Sequence, residues 1–172
     1  RRLERLSGKM MTLIGLYDED RIHKEPYPVD RLVREVADLE RYHMQDSQME
    51  LLAFSESWEC EMDVDLMESL LVNLLDNAIK ASKPGSVIEL HGEKGCIWVR
   101  DFGKGIPEEE IPRITEAFYM VDKSRSRKAG GIGMGLALCQ KIAEIHRANL
   151  VIESVVGQGT KISVVFQEET DE

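Results

Sequence analysis

Long apolar runs are missing from this 172-residue chain: none approaches the roughly 20 residues that a membrane-spanning helix needs. No secretory leader is visible either, since the first residues are basic and amphipathic. Cysteine is sparse. Cys60, Cys96 and Cys139 are scattered, no C-x-x-C occurs, and no Cys/His cluster has zinc spacing, so a disulfide framework is not expected and the thiols read as buried or idle. Basic charge is in deficit. With 22 Lys and Arg against 32 Asp and Glu, the net charge is −10, which makes a poor nonspecific binder of nucleic acid or anionic membrane. The length suffices for one domain with a substantial core and a short extra piece, and the first residue, Arg1, suggests a segment of a longer protein.

Periodicity divides what is present. Residues 1–16 carry Leu3, Leu6, Met10, Leu13 and Ile14 at helical spacing and read as the end of an amphipathic helix that needs a partner. Residues 17–27, polar and holding Pro26, read as a linker, and Pro28 follows. Asp30 is expected to cap a helix with Leu32, Val33, Val36 and Leu39 on one side. "MELLAFS" and "WECEM" read as two strands joined by a turn near Ser55–Ser57. Asp63 is expected to cap a strong helix that ends before Pro84 and Gly85. "SVIELHG" and "GCIWVRD" read as a hairpin, "IPEEEIPRI" as a short helix, and "MGLALCQKIAEIH" as a helix facing inward with Leu136, Cys139, Ile142 and Ala143. Two final strands flank a turn at Gly157–Gly159, and 168–172 form an acidic tail.

Three constellations stand out. Asn73, Asn77 and Lys80 share one face of an otherwise apolar helix, although asparagine is a poor interior helix former. An Asn carbonyl can ligate Mg²⁺ and a lysine can meet a phosphate oxygen; the plainer alternative is a polar surface stripe. Next, Asp101 ends an apolar strand and precedes alternating Gly103 and Gly105, ahead of Ile106, where it could accept from an amine in a pocket or make an ordinary Asx turn. Last, "GGIGMGLAL" puts Gly130, Gly131, Gly133 and Gly135 before Leu136 and a helix, directly after Lys123, Arg125, Arg127 and Lys128. No G-x-x-x-x-G-K-[ST] is present, so a P-loop is excluded. A dinucleotide-binding turn fails as well, because Gly135 falls one position early and no buried strand precedes it. Backbone donors at a helix start beside a basic loop remain, and that is an anion site suited to phosphate.

In order along the chain, Asn-x-x-x-Asn-Ala-x-Lys at 73–80, Asp-x-Gly-x-Gly at 101–105, Phe118-Tyr119, Gly-x-Gly-x-Gly-Leu at 131–136 and Gly-x-Gly-Thr at 157–160 resemble the N, G1, F, G2 and G3 boxes of the sensor histidine kinase ATP-binding domain. That domain belongs to a superfamily with DNA gyrase, heat-shock chaperone and mismatch-repair ATPases. The resemblance covers residues 28–167. Residues 1–16 resemble the end of the second helix of a dimerisation and histidine-phosphotransfer hairpin.

The resemblance implies an α+β, two-layer α/β sandwich of the Bergerat type. It would have a mixed, mainly antiparallel sheet, about three helices and a flexible lid over ATP from about Glu116 to Ile132. It implies that Asp101 bonds the adenine amine, Gly103 and Gly105 shape that pocket, Ile106 packs near the ring and Thr160 lines it. Asn77 would ligate Mg²⁺, with Asn73 and Lys80 near the phosphates. Lys123, Arg125 or Arg127 would meet the γ-phosphate, and Gly131, Gly133, Gly135 and Leu136 would fold the lid over the triphosphate. The implied partners are a phosphoacceptor helical hairpin, a response regulator and a second subunit in the intact protein. The implied location is cytoplasmic, on a parent that could be membrane-anchored.

Some positions depart from the pattern. Met120 stands where arginine is frequent, Ala81 where an aromatic is frequent, and "HRAN" at 146–149 replaces His-Gly-Gly, so its turn must avoid the left-handed conformation or use Asn149. Asn73 occupies the position of the water-activating glutamate of the ATPase branches, and an amide is no general base. None of His23, His43, His91 and His146 lies in an H-[DE]-x-x-x-P context, so the chain is expected to bind ATP without phosphorylating itself. His146, at a helix C-terminus, is expected to favour its charged form. The alternatives are a nucleotide-sensing module without kinase activity and an anti-sigma-type serine kinase.

Overall fold

A computed structural model describes Gly8, Met11, Gly15, Leu16 and residues 22–121 and 133–167. Along the chain come β1 (Glu25–Pro28), α1 (Val29–Asp46), β2 (Glu50–Ser55), β3 (Glu59–Met62), α2 (Val64–Ala81), β4 (Val87–Glu93), β5 (Cys96–Asp101), a 3-10 helix (Glu108–Arg113), α3 (Gly135–Ile145), β6 (Ala148–Val155) and β7 (Gly159–Phe166). The main sheet has the order β2-β4-β5-β7-β6, with β2 and β4 parallel and the other neighbours antiparallel. The helices pack on one face, giving the expected two-layer α+β architecture.

Helix α2 is the centre of the core. Met67, Leu70, Leu71, Leu74, Leu75 and Ala78 are all buried, and they meet Ile88, Leu90, Ile97, Val99, Ile162 and Val164 of the sheet, with Cys139, Ile142 and Ala143 of α3. Each such large aliphatic contributes about 1.5–3 kcal/mol of burial. Helix α1 adds Val29, Leu32, Val33, Val36 and Met44 at the i, i+3, i+4 spacing of a core-facing stripe.

Four local expectations differ from the structure. Asp30 does not cap α1; the helix begins after Pro28, with the Val29 N–H donating to the Trp58 carbonyl at 2.9 Å, and Asp30 pairs with Arg34 at 2.8 Å. Residues 25–27, read as linker, join Pro28 in β1. That strand forms a two-stranded ribbon with β3, where the missing N–H groups of Pro26 and Pro28 are tolerated. It follows that β2 and β3 are not partners: the chain between them crosses from the main sheet to the ribbon. At "HRAN" it is Arg147, at φ 52°, that takes the left-handed conformation rather than Asn149.

The fourth difference concerns His146. It is buried at the end of α3, where Nδ1 lies 2.7 Å from the Ile142 carbonyl and Nε2 accepts from the Asp63 N–H at 3.0 Å. A carbonyl can only accept and an amide can only donate, so the ring is neutral with its proton on Nδ1. Burial holds its pKa below the ordinary value, outweighing the helix-end carbonyl. Asp63 caps α2 as expected, accepting from Leu66 N–H at 3.2 Å through Oδ1 and from His23 N–H at 2.9 Å through Oδ2. Lys24 Nζ reaches the Ile145 carbonyl.

Because the folded His146 resists protonation, its contribution to stability is complete above the unfolded pKa of about 6.5 and is lost as pH falls below it. Urea midpoints should therefore decline from pH 7 to pH 5.5. A His146→Ala variant should show a shallower decline and cost about 1–3 kcal/mol at pH 7, because it strands the Asp63 N–H.

Candidate nucleotide site

Two of the constellations lie at one end of the sandwich. Asn73, Asn77 and Lys80 lie on successive turns of α2, whose last residue, Ala81, accepts from Lys104 N–H in the loop after β5, where Asp101 is buried beside Thr160, its cross-strand partner on β7. Asn73 is buried, and its Nδ2 donates to the Ser69 carbonyl at 2.7 Å. Lys80 is exposed and paired with Asp76. Asn77 differs from both, because among the described residues its buried Nδ2 has no hydrogen-bond partner. An orphaned buried amide costs about 1–3 kcal/mol, so this one is poised for a ligand. Which of its ends faces the cleft is a matter of amide orientation, and the carbonyl orientation suits a hard cation. The residues present therefore fit a Mg²⁺ site completed by phosphate and water. No group of three or more His, Cys, Asp or Glu among the described residues could hold a metal on its own.

Of the two things the sequence allowed Asp101, the structure shows the Asx turn. Its Oδ1 accepts from Gly103 N–H at 2.8 Å, an Asx turn, while its carboxyl sits on the helix-facing side of the sheet. Burial raises its pKa above the usual carboxylate value, and hydrogen bonds from the Gly103 and Thr160 backbone oppose that rise. The loop after it is stitched on both sides. Lys104 N–H donates to the Ala81 carbonyl at 3.1 Å, and Gly157 N–H donates to the Lys104 carbonyl at 2.8 Å. Ala81, where an aromatic is frequent, thus contributes its backbone oxygen. A Cβ at Gly103 would come within 2.2 Å of that oxygen, and one at Gly105, at φ 68°, within 2.1 Å of the Val155 carbonyl. Ile106 is half-buried, and its N–H donates to Ser154 Oγ at 2.8 Å.

Phe118 and Gly133 are joined: Phe118 N–H donates to the Gly133 carbonyl at 2.7 Å, with Phe118 at φ 67° and Gly133 at φ 72°. Tyr119 bonds Glu110, and the Arg113 guanidinium lies 4.2 Å from the Tyr119 ring centroid. Gly135 and Leu136, both half-buried, open α3. Lys123, Arg125 and Gly131 lie outside the described residues, as do most of residues 1–16, 17–21 and 168–172. A separate cleft of about 390 Å³ opens between α1 and β2, but two of its charges, Asp30 and Arg34, pair with each other.

Sequence reasoning missed two residues here. Ser154 bonds Ile106 N–H, the Gly159 carbonyl at 3.0 Å and Thr160 Oγ1 at 2.8 Å. Its one signal was a hydroxyl at an inward position of β6. His146 was read by its helix position, and only the fold brings the Asp63 N–H to it.

Residues 62–170 match the family described as "Histidine kinase-, DNA gyrase B-, and HSP90-like ATPase". The chain belongs to this family. It is similar to the sensor histidine kinase YkoH of Bacillus subtilis, 41% identical over 116 residues, covering 66% of this chain and 26% of that protein. It is 30% identical to the sensor protein kinase WalK of Staphylococcus saprophyticus over 172 residues, covering 96% of this chain and 28% of WalK. The chain thus spans little more than a quarter of the curated relatives it matches. Among solved structures, the catalytic domain of histidine kinase ThkA aligns with a TM-score of 0.72 at 22% identity, over 86% of this chain and 97% of that one. The cytoplasmic segment of histidine kinase QseC aligns with a TM-score of 0.69 at 19% identity, over 96% and 95% of the two chains. These two likenesses concern the fold. By the family match and the named relatives, the chain is an ATP-binding domain like those of sensor histidine kinases. No helix among the described residues is long and apolar enough to cross a membrane.

The stitched loop makes glycine positions unequal. Gly159, at φ 107°, would put a Cβ 2.0 Å from the Asp101 carbonyl, whereas Gly157, at φ 80°, meets nothing within 4 Å. Gly159→Ala should lower stability by more than about 1 kcal/mol and abolish ADP binding. Gly157→Ala should cost only about 1 kcal/mol of backbone strain and keep ADP affinity. Thermal melts and ADP titrations of the two variants check this contrast.

Proposed function

We propose that this domain holds Mg-ATP between α2 and the β5–β7 end of the sheet. It would position the γ-phosphoryl group for transfer to a histidine on a separate helical hairpin of the parent protein. What supports the reading is a buried carboxylate, Asp101, at the end of β5 and a buried amide nitrogen without a partner, Asn77 Nδ2, on α2, whose last residue holds the loop after Asp101. One end accepts from an amine and the other meets a cation, which matches the two ends of a nucleotide.

The roles follow from the chemistry of each group. Asp101 accepts from the adenine amine, Thr160 lines the same pocket, and Gly103, Gly105 and Ile106 form its wall. Asn77 ligates Mg²⁺, and Asn73 and Lys80 lie near the phosphates; Lys80 exchanges Asp76 for a phosphate oxygen. Mg²⁺, when bound, neutralises the phosphate charge that builds up during transfer. Lys123, Arg125 or Arg127 meets the γ-phosphate, and Gly131, Gly133, Gly135 and Leu136 let the lid close over it. Asn73 supplies no base, so water is not activated and the nucleotide is kept for the acceptor. The phosphohistidine would then pass its phosphoryl group to an aspartate of a response regulator. The intact protein would be a homodimer with this domain on the cytoplasmic side of a membrane-anchored parent.

Calorimetry with ATP and Mg²⁺ tests the site. Binding should require Mg²⁺ and should weaken by tenfold or more in both Asn77→Ala and Asp101→Asn, about 1.4 kcal/mol each. Affinity should also fall on acidification at a higher pH than for an ordinary carboxylate, because the Asp101 pKa is raised. Adding a separate phosphoacceptor hairpin should place acid-labile label on histidine. Absence of binding at millimolar ATP overturns the reading.

A further inference from the structure

The hydroxyl of Ser154 lies behind Thr160, and its surroundings have fixed polarity on two sides. Ile106 N–H can only donate, and it donates to Ser154 Oγ at 2.8 Å. The Gly159 carbonyl can only accept, and it lies 3.0 Å from the same oxygen. The third neighbour, Thr160 Oγ1 at 2.8 Å, could in principle serve either way. A serine hydroxyl has one proton and two lone pairs. With the proton on the Gly159 carbonyl and one lone pair on Ile106 N–H, only a lone pair remains for Thr160. In that arrangement the reversible partner donates.

We propose that Ser154 is a specificity-determining positioning residue: it takes up the Thr160 proton, so that Thr160 joins Asp101 in offering the nucleobase acceptors only. The chain runs Thr160 to Ser154 to the Gly159 carbonyl. Asp101 and Thr160 are cross-strand partners, so both acceptors sit on one row of the sheet. Such a row accepts from an exocyclic amine and repels a keto oxygen, which is the difference between a 6-aminopurine and a 6-oxopurine. A site built for a donor rejects its replacement strongly, because the pocket's buried acceptors are left unmatched. Ser154 itself touches no nucleotide; it acts through Thr160. The inference rests on the proposed placement of the base beside Asp101.

The test compares ADP with IDP, which differ at the purine 6-position and its neighbouring ring nitrogen, in calorimetric titrations with Mg²⁺. The parent domain should prefer ADP. In Ser154→Ala the Thr160 proton is free to turn toward a keto oxygen, so IDP should tighten and the ADP/IDP ratio should narrow about tenfold. Ser154→Thr keeps the hydroxyl and should keep the ratio. Thr160→Val should narrow the ratio by the other route, weakening ADP and relieving the repulsion of IDP. It decides the matter if Ser154→Ala does not melt cooperatively. Equal weakening of both nucleotides in Ser154→Ala, or an unchanged ratio in Thr160→Val, overturns the inference and leaves Ser154 a structural bond. Failure of the parent to bind ADP, or indifference of ADP to Asp101→Asn, overturns instead the placement of the base on which the inference rests.

Discussion

The fold depends on one helix being buried on nearly every side. Leu70, Leu71 and Leu75 of α2 have no solvent exposure, and Leu74 has 1%. Its neighbours are the sheet, α1 and α3. A helix so enclosed cannot turn about its axis without opening cavities, and a single Leu→Ala change at such a site costs about 2–5 kcal/mol. That rigidity fixes the strip of α2 that carries Asn73, Asn77 and Lys80. These three are held in place by the leucines on the other faces, so the core and the polar strip are two sides of one packing problem.

The opposite wall of the cleft is held differently. From Asp101 onward the chain leaves the sheet, and hydrogen bonds replace apolar packing. Ala81, at the C-terminal end of α2, receives the loop, and the β6–β7 turn holds it from the other side. The close approaches at Gly103, Gly105 and Gly159 are each tighter than any side chain would allow. These glycines serve backbone contact. At the far flank, Gly133 meets Phe118 in the same manner. The loops are thus tied to rigid elements at their ends.

Much of this was legible in the sequence because it is local. The cap at Asp63, the extent of α2, the β4–β5 hairpin and the Gly157–Gly159 turn follow from adjacent residues. The site residues were legible as boxes because their spacing is set within single elements. What stayed hidden was pairing at a distance. The partner of β3 is β1, a stretch whose prolines look like linker, and β2 runs parallel to β4 more than 30 residues away. His146 was misread for the same reason: its position on the helix predicts a charge, but burial and the Asp63 N–H decide otherwise. Ser154 gave only an inward hydroxyl as a signal, because its three partners lie on the loop after β5 and on β7.

The bond between His146 and Asp63 also has a mechanical side. It clamps the last turn of α3 to the first turn of α2, while the first turn of α3 follows directly from Gly133. An 11-residue helix is about 16 Å long, so α3 has the geometry of a lever, with its fulcrum at the histidine and its free arm beside the Phe118–Gly133 contact. A tilt of only about 10° at the fulcrum carries the free arm through roughly 3 Å, the size of one hydrogen bond. The Lys24 ammonium rests on the fulcrum end, at the carbonyl of Ile145. Lys24, ahead of β1, and the Phe118–Gly133 contact therefore sit at opposite ends of the same short beam.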